Sequence, residues 1–136
     1  MPVELRLVPS GAHLIELRDA ARRALPGVPD EVVQDVLLVL DEAVANAIRY
    51  GSAAGQPVAV SIHCDGDWID LAVADQGPTP RLPSLPNEPP PPLATGGRGL
   101  WLILQLVDEV ALERHGDGVR LTMRRRARVP VGAGSR

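Results

Sequence analysis

In the stretch Leu40-Asp41-Glu42-Ala43-Val44-Ala45-Asn46-Ala47-Ile48, most residues are what a buried helix face needs, but Glu42 and Asn46 are not. They stand one helical turn apart, so their side chains share a face. On a helical wheel from residue 31 to about 50, Val33, Val36, Leu40, Val44 and Ala47 gather on one side. Glu31, Asp35, Glu42, Asn46 and Arg49 gather on the other. The pattern predicts a long helix with Asp30 as its N-cap, ending at Gly51. An acid and an amide stacked in this way can serve a metal-bound phosphate, or they can simply face water. Taken alone, the solvated face is the plainer reading, because amphipathic helices ordinarily carry one.

Working outward, Val3-Glu4-Leu5-Arg6-Leu7-Val8 alternates apolar and charged residues as a half-buried strand does. Residues 12–25 read as a helix, with Leu14, Leu17, Ala21 and Leu25 at three- and four-residue spacing. Beyond the loop Gly51 to Pro57, two strands are predicted at Val58 to Cys64 and Trp68 to Ala74. They flank Asp65-Gly66-Asp67, a good hairpin signal. The segment Pro78 to Pro92 holds prolines at 78, 80, 83, 86, 89, 90, 91 and 92. Each removes an amide donor and fixes φ, so neither helix nor strand survives there; loops of this length are often lids. Thr95-Gly96-Gly97-Arg98-Gly99-Leu100 opens a short helix to about Val107, and strands are predicted over 109–115 and 118–126. The tail from Pro130 is expected to be disordered.

Strands joined mainly by tight turns, with helices between them, predict an α/β two-layer sandwich: a mixed, mostly antiparallel sheet with helices packed on one face. The 136 residues bound a single domain, 1–128, and a 45% hydrophobic content supports one real core. With no Phe, that core has to come from Leu, Val, Ile and Ala. A net charge of -3 gives no electrostatic reason to expect direct contact with nucleic acid. Arg124-Arg125-Arg126 reads as a solvated strand end. One cysteine, Cys64, permits no internal disulfide, the start lacks a signal-peptide pattern, and no apolar run reaches the roughly 20 residues of a membrane span. These features lead to the expectation of a cytoplasmic protein.

Three polar signals interrupt the local patterns. The first is Glu42 with Asn46. The second is Asp75-Gln76-Gly77, where a carboxylate ends an apolar strand and a glycine permits close backbone approach, though an Asp before Gly is also an ordinary turn. The third is Gly97-Arg98-Gly99 at a helix start, where bare amides suit a phosphate. Their order, with a proline-rich segment between the second and third, resembles the N, G1 and G2 boxes of the GHKL (Bergerat) ATP-binding fold. Within that superfamily, Glu42-Ala43-Val44-Ala45-Asn46-Ala47-Ile48 and Gly97-Arg98-Gly99-Leu100-Trp101-Leu102-Ile103 look most like the anti-sigma-factor serine kinases. The similarity runs from the first strand to about Arg126.

The resemblance implies ATP and Mg²⁺ as cofactors, with Asn46 on the metal and Glu42 as the catalytic base. It implies Asp75 and Gly77 at adenine, with Thr95, Gly97, Arg98, Gly99 and Leu100 along the phosphate side of the site. Residues 78–96 become an ATP lid. It further implies a homodimer that sequesters a sigma factor and phosphorylates an anti-anti-sigma (STAS) protein. The chain departs from the family pattern at Tyr50 in place of a histidine, at Thr79 in place of a second glycine, and in the last hairpin. There Val119 or Arg120 stands where a threonine is common, and Thr122 is out of register. A nucleotide-binding regulator that holds a partner without phosphotransfer is the alternative.

Overall fold

A computed structural model describes residues 3–7, 13–51, 56–91 and 98–128. Its elements are β1 (Val3–Leu7), α1 (His13–Ala24), α2 (Asp30–Asn46), β2 (Val58–Cys64), β3 (Trp68–Ala74), α3 (Arg98–Leu106), β4 (Glu109–His115) and β5 (Gly118–Arg126). The strands form one five-stranded sheet in the order β1-β2-β3-β5-β4, and every neighbouring pair is antiparallel.

Period-two alternation decides which side chains face the helices. Val58, Val60 and Ile62 of β2, Ile69, Leu71 and Val73 of β3, and Leu121 and Met123 of β5 are buried. They form one cluster with Leu17 of α1, Val36, Leu40 and Val44 of α2, and Ile103 of α3. Ala20, Ala21 and Ala24 are also buried, so small side chains fill the close approach of α1. The core is therefore aliphatic, as a chain without Phe requires.

Helix α2 differs from its expected form in two ways. Pro29 occupies the N-cap position with no side-chain capping bond, and Asp30 is the first helical residue. The Pro29 carbonyl accepts the amides of Val32 and Val33 at 3.0 Å. Proline's fixed φ suits this helix entry, and Asp30 instead places negative charge in the first turn, where the helix dipole favours it. At its other end the α-helix gives way at Asn46 to a wider π-helical turn, Ala47–Gly51. Burial extends beyond the predicted apolar stripe to Val32, Val39 and Ala43, because α2 packs against α3 as well as α1 and the sheet.

The arginine cluster is not uniformly solvated. Arg125 is buried, and its Nη1 donates to Asp35 Oδ2 of α2 at 2.5 Å and to the Leu106 carbonyl at the end of α3 at 3.2 Å. The strand's period turns Arg125 inward while Arg124 and Arg126 turn outward over the Trp68 ring, at 4.4 and 4.8 Å from its centroid. The expected disordered tail lies outside the described residues.

Candidate functional site

Where β3 ends, Asp75 is only 7% exposed. Its amide donates to the Val119 carbonyl at 3.0 Å. Its Oδ1 accepts the amides of Gly77 at 3.0 Å and Val119 at 3.1 Å, tying the chain after β3 to the start of β5. Both of these bonds fall on Oδ1, and Asp75 lines a cavity of about 490 Å³. A buried carboxylate is thus fixed in place through one of its oxygens at the wall of the cavity.

Two glycines make this crossing possible. Gly77 has φ +73°, and a Cβ there would lie 2.6 Å from the Asp117 carbonyl carbon and 2.9 Å from the Gly118 nitrogen. A Cβ on Gly118 would lie 2.9 Å from the Asp75 carbonyl carbon. Each chain passes through the space that a side chain on the other would fill.

The end of α2 supplies another wall. Ala43, Asn46 and Ala47 line the same cavity, while Glu42 stands one turn earlier. At the start of α3, a Cβ on Gly99 would be 2.8 Å from Glu42 Oε2 and 3.2 Å from Asn46 Nδ2. At Gly99 the first turn of α3 lies directly against that polar pair, and a side chain there would press on both of them. Leu100 follows it into the cavity wall, with Val73, Leu112, Val119 and Leu121 making the remainder largely apolar. An apolar slot with a few fixed polar groups is the usual form of a small-molecule site.

The proline-rich segment closes one side. Arg81, Leu82, Pro83 and Ser84 line the cavity. The base of the segment is pinned to the β4–β5 hairpin: the Thr79 amide donates to the Asp117 carbonyl at 2.9 Å. Arg114 of β4 donates from Nη1 to the Thr79 carbonyl and from Nη2 to the Pro80 carbonyl, the latter at 2.9 Å.

Glu42, Asn46, Asp75, Gly77, Gly99 and Leu100 therefore converge from parts of the chain far apart in sequence. Arg98 is exposed at the start of α3. Thr95 and Gly97 lie outside the described residues, as does the side chain of Tyr50. Thr122 is on the outer face, where its hydroxyl donates to the Ala111 carbonyl at 3.4 Å, and Arg120 pairs there with Glu113 at 2.7 Å. Val119 is the β5 side chain beside Asp75. Sequence reasoning missed the roles of Gly118 and Arg114. A glycine opening a strand is a usable signal for the first; no local pattern marks the second, which acts across 35 residues.

A family model described as a histidine kinase-like ATPase domain matches residues 7–125. The serine-protein kinase RsbW of Oceanobacillus iheyensis is 29% identical over 119 residues, covering 76% of this chain and 75% of that protein. The serine-protein kinase RsbW of Bacillus subtilis is 26% identical over 125 residues, covering 85% of this chain and 78% of that one. A crystal structure of the RsbU and RsbW domains of Rv1364c from Mycobacterium tuberculosis superposes with a TM-score of 0.63 at 20% identity. It covers 94% of this chain, which spans 33% of that longer one, and it shows the shared fold.

Proposed function

The chain belongs to the histidine kinase-like ATPase domain family, and from that membership we propose that it is an ATP-dependent protein-serine kinase that also acts as an anti-sigma factor. The observation that carries the reading is the convergence on one cavity of the Asp75 carboxylate, the Asn46 amide beside Glu42, and the glycine-opened start of α3. The two RsbW relatives, both serine-protein kinases, support the same class of activity.

The site fits Mg·ATP in its donor chemistry. The apolar walls suit a purine, and the Asp75 carboxylate suits an exocyclic amine, because a carboxylate oxygen accepts hydrogen bonds. Gly77 lets the backbone approach the base. Among the described residues no group of three or more His, Cys, Asp or Glu forms a metal cage. A magnesium ion here would take the Asn46 oxygen together with phosphate and water oxygens, the ligand set Mg²⁺ favours. Gly97 and Gly99 would direct amides at phosphate, Thr95 and Leu100 would line its approach, and Arg98 would add positive charge. Bound Mg·ATP supplies the transferable phosphoryl group. Glu42 takes the proton of the incoming serine hydroxyl on a carboxylate oxygen and orients that hydroxyl. Residues 78–96 form the lid that excludes water, and domain 1–128 is the catalytic unit. The protein substrate is an anti-anti-sigma (STAS) protein, the sequestered partner a sigma factor, and the functional unit a homodimer in the cytoplasm.

The test is transfer of label from [γ-³²P]ATP with Mg²⁺ to a candidate STAS protein. The wild type is expected to label a serine, and Glu42→Ala to bind ATP normally while losing at least about a hundredfold in transfer. If the wild type binds ATP but labels no serine, the kinase reading falls and a nucleotide-gated binding module takes its place.

A further inference from the structure

We propose that the Thr79 hydroxyl is a base-reading group of this slot, donating to the purine ring nitrogen beside the amine that Asp75 accepts; the inference rests on the nucleotide-binding reading above. Thr79 lines the cavity. Its Oγ1 is enclosed and has no hydrogen-bond partner among the described residues. The rest of the residue is satisfied: its amide donates to the Asp117 carbonyl at 2.9 Å, and its carbonyl accepts from Arg114. The backbone is thus held from both sides, and only the hydroxyl is left over.

An enclosed hydroxyl without a partner is costly, and native structures seldom keep one without a use. Rotation about χ1 moves a threonine hydroxyl between staggered positions without moving the backbone. A ligand acceptor in the cavity therefore gains a hydrogen bond whose protein side is already desolvated. The acceptor's identity follows from its neighbour. Asp75 Oδ1 is committed to the amides of Gly77 and Val119, leaving Oδ2 as an acceptor at the same cavity. A carboxylate and a hydroxyl lining one cavity, four residues apart in the chain, match an edge with an amine next to a ring nitrogen, which is the edge adenine presents. Guanine presents a carbonyl in place of the amine, and its lone pairs face those of the carboxylate. Asp75 accordingly rejects the wrong purine and Thr79 adds affinity for the right one. Among the other described residues that line the cavity, only Ser84 carries a hydroxyl, and it is exposed.

The test uses the full chain, Mg²⁺, ADP and 1-deaza-ADP, in which a C–H replaces that ring nitrogen, with affinities from isothermal titration calorimetry. Thr79→Val is expected to weaken ADP binding about tenfold and to leave 1-deaza-ADP binding unchanged. Thr79→Ser is expected to retain most of the ADP affinity. The nucleotide-free melting temperature of Thr79→Val is expected to match or exceed that of the wild type, since the hydroxyl bonds nothing in the protein. Equal ADP affinity in wild type and Thr79→Val overturns the inference. So does an equal loss on both ligands, or a lowered nucleotide-free melting temperature, either of which assigns Thr79 a packing role. A wild type that binds neither ligand overturns the nucleotide reading itself, an outcome distinct from all of these.

Discussion

Asp75 holds two backbone amides through Oδ1 and, in the proposed reading, meets the base through its other oxygen; two substitutions separate the two roles. In Asp75→Asn the side-chain oxygen still accepts the Gly77 and Val119 amides, while an NH₂ replaces the ligand-facing oxygen. The protein is expected to keep its urea midpoint and to lose about 10–100-fold in ADP affinity, as a donor now meets a donor. In Asp75→Ala both amides lose their acceptor, so stability is expected to fall by about 1–3 kcal/mol as well. Calorimetric titration and urea denaturation of the pair decide the point. If Asp75→Asn binds ADP as the wild type does, the other oxygen is not the base-reading group. Gly77 is a purely steric case. Its φ of +73° disfavours any side chain by about 1–2 kcal/mol, and an added methyl also meets the Asp117 carbonyl. Gly77→Ala is expected to lower stability by about 2–4 kcal/mol, read from the denaturation midpoint.

At the scale of elements, the Asp65 turn shows how one side chain fixes a hairpin. Its Oδ1 accepts the Trp68 amide at 2.8 Å and the Asp67 amide at 3.1 Å. Those bonds, the Trp68 one first, hold its carboxyl below the ordinary 3.8. A depressed folded value stabilises the protein above the unfolded value, and that stabilisation is lost as pH falls through the folded one. The melting temperature of the wild type is therefore expected to exceed that of Asp65→Ala above about pH 4, and the gap should close as pH drops further. A gap that persists unchanged at pH 2 would assign the effect to something other than the carboxylate. This hairpin was legible because its signals are local: Asp-Gly-Asp between alternating strands gave both β2 and β3 their observed limits. The same holds for β4 and β5 around Gly116. Arg125 was not legible, because its reason for facing inward is Asp35, 90 residues away. The Pro29 cap was missed because proline and aspartate both suit a helix start, and only backbone geometry decides which residue stands outside it. The polar pair on α2 was legible as a pair; that α3 packs against it through Gly99 was not, since no helical wheel places a residue of another helix.

Across the whole molecule, the site draws on α2, β3, the proline-rich segment, α3 and the β4–β5 hairpin, whereas β1 and α1 contribute no lining residue. A ligand that binds only the folded state stabilises it by mass action, about 2.7 kcal/mol at a hundredfold excess over Kd. That global term slows amide exchange wherever exchange needs complete unfolding. Local opening is different, since it slows only where the ligand holds the opening part closed. The residues that open most easily are expected among 76–84, which lack helix and strand yet line the cavity in part. Hydrogen–deuterium exchange with and without Mg·ADP is therefore expected to show the largest protection at 76–84 and 117–119 and around Gly99. Amides that exchange by local fraying at the N-terminal end of α1, away from the cavity, should be unchanged. If protection is instead uniform, binding stabilises the fold without engaging the proline-rich segment. If it centres on α1 and β1, the nucleotide sits elsewhere, and the convergence of Asp75, Asn46 and Gly99 serves the packing of α3 alone.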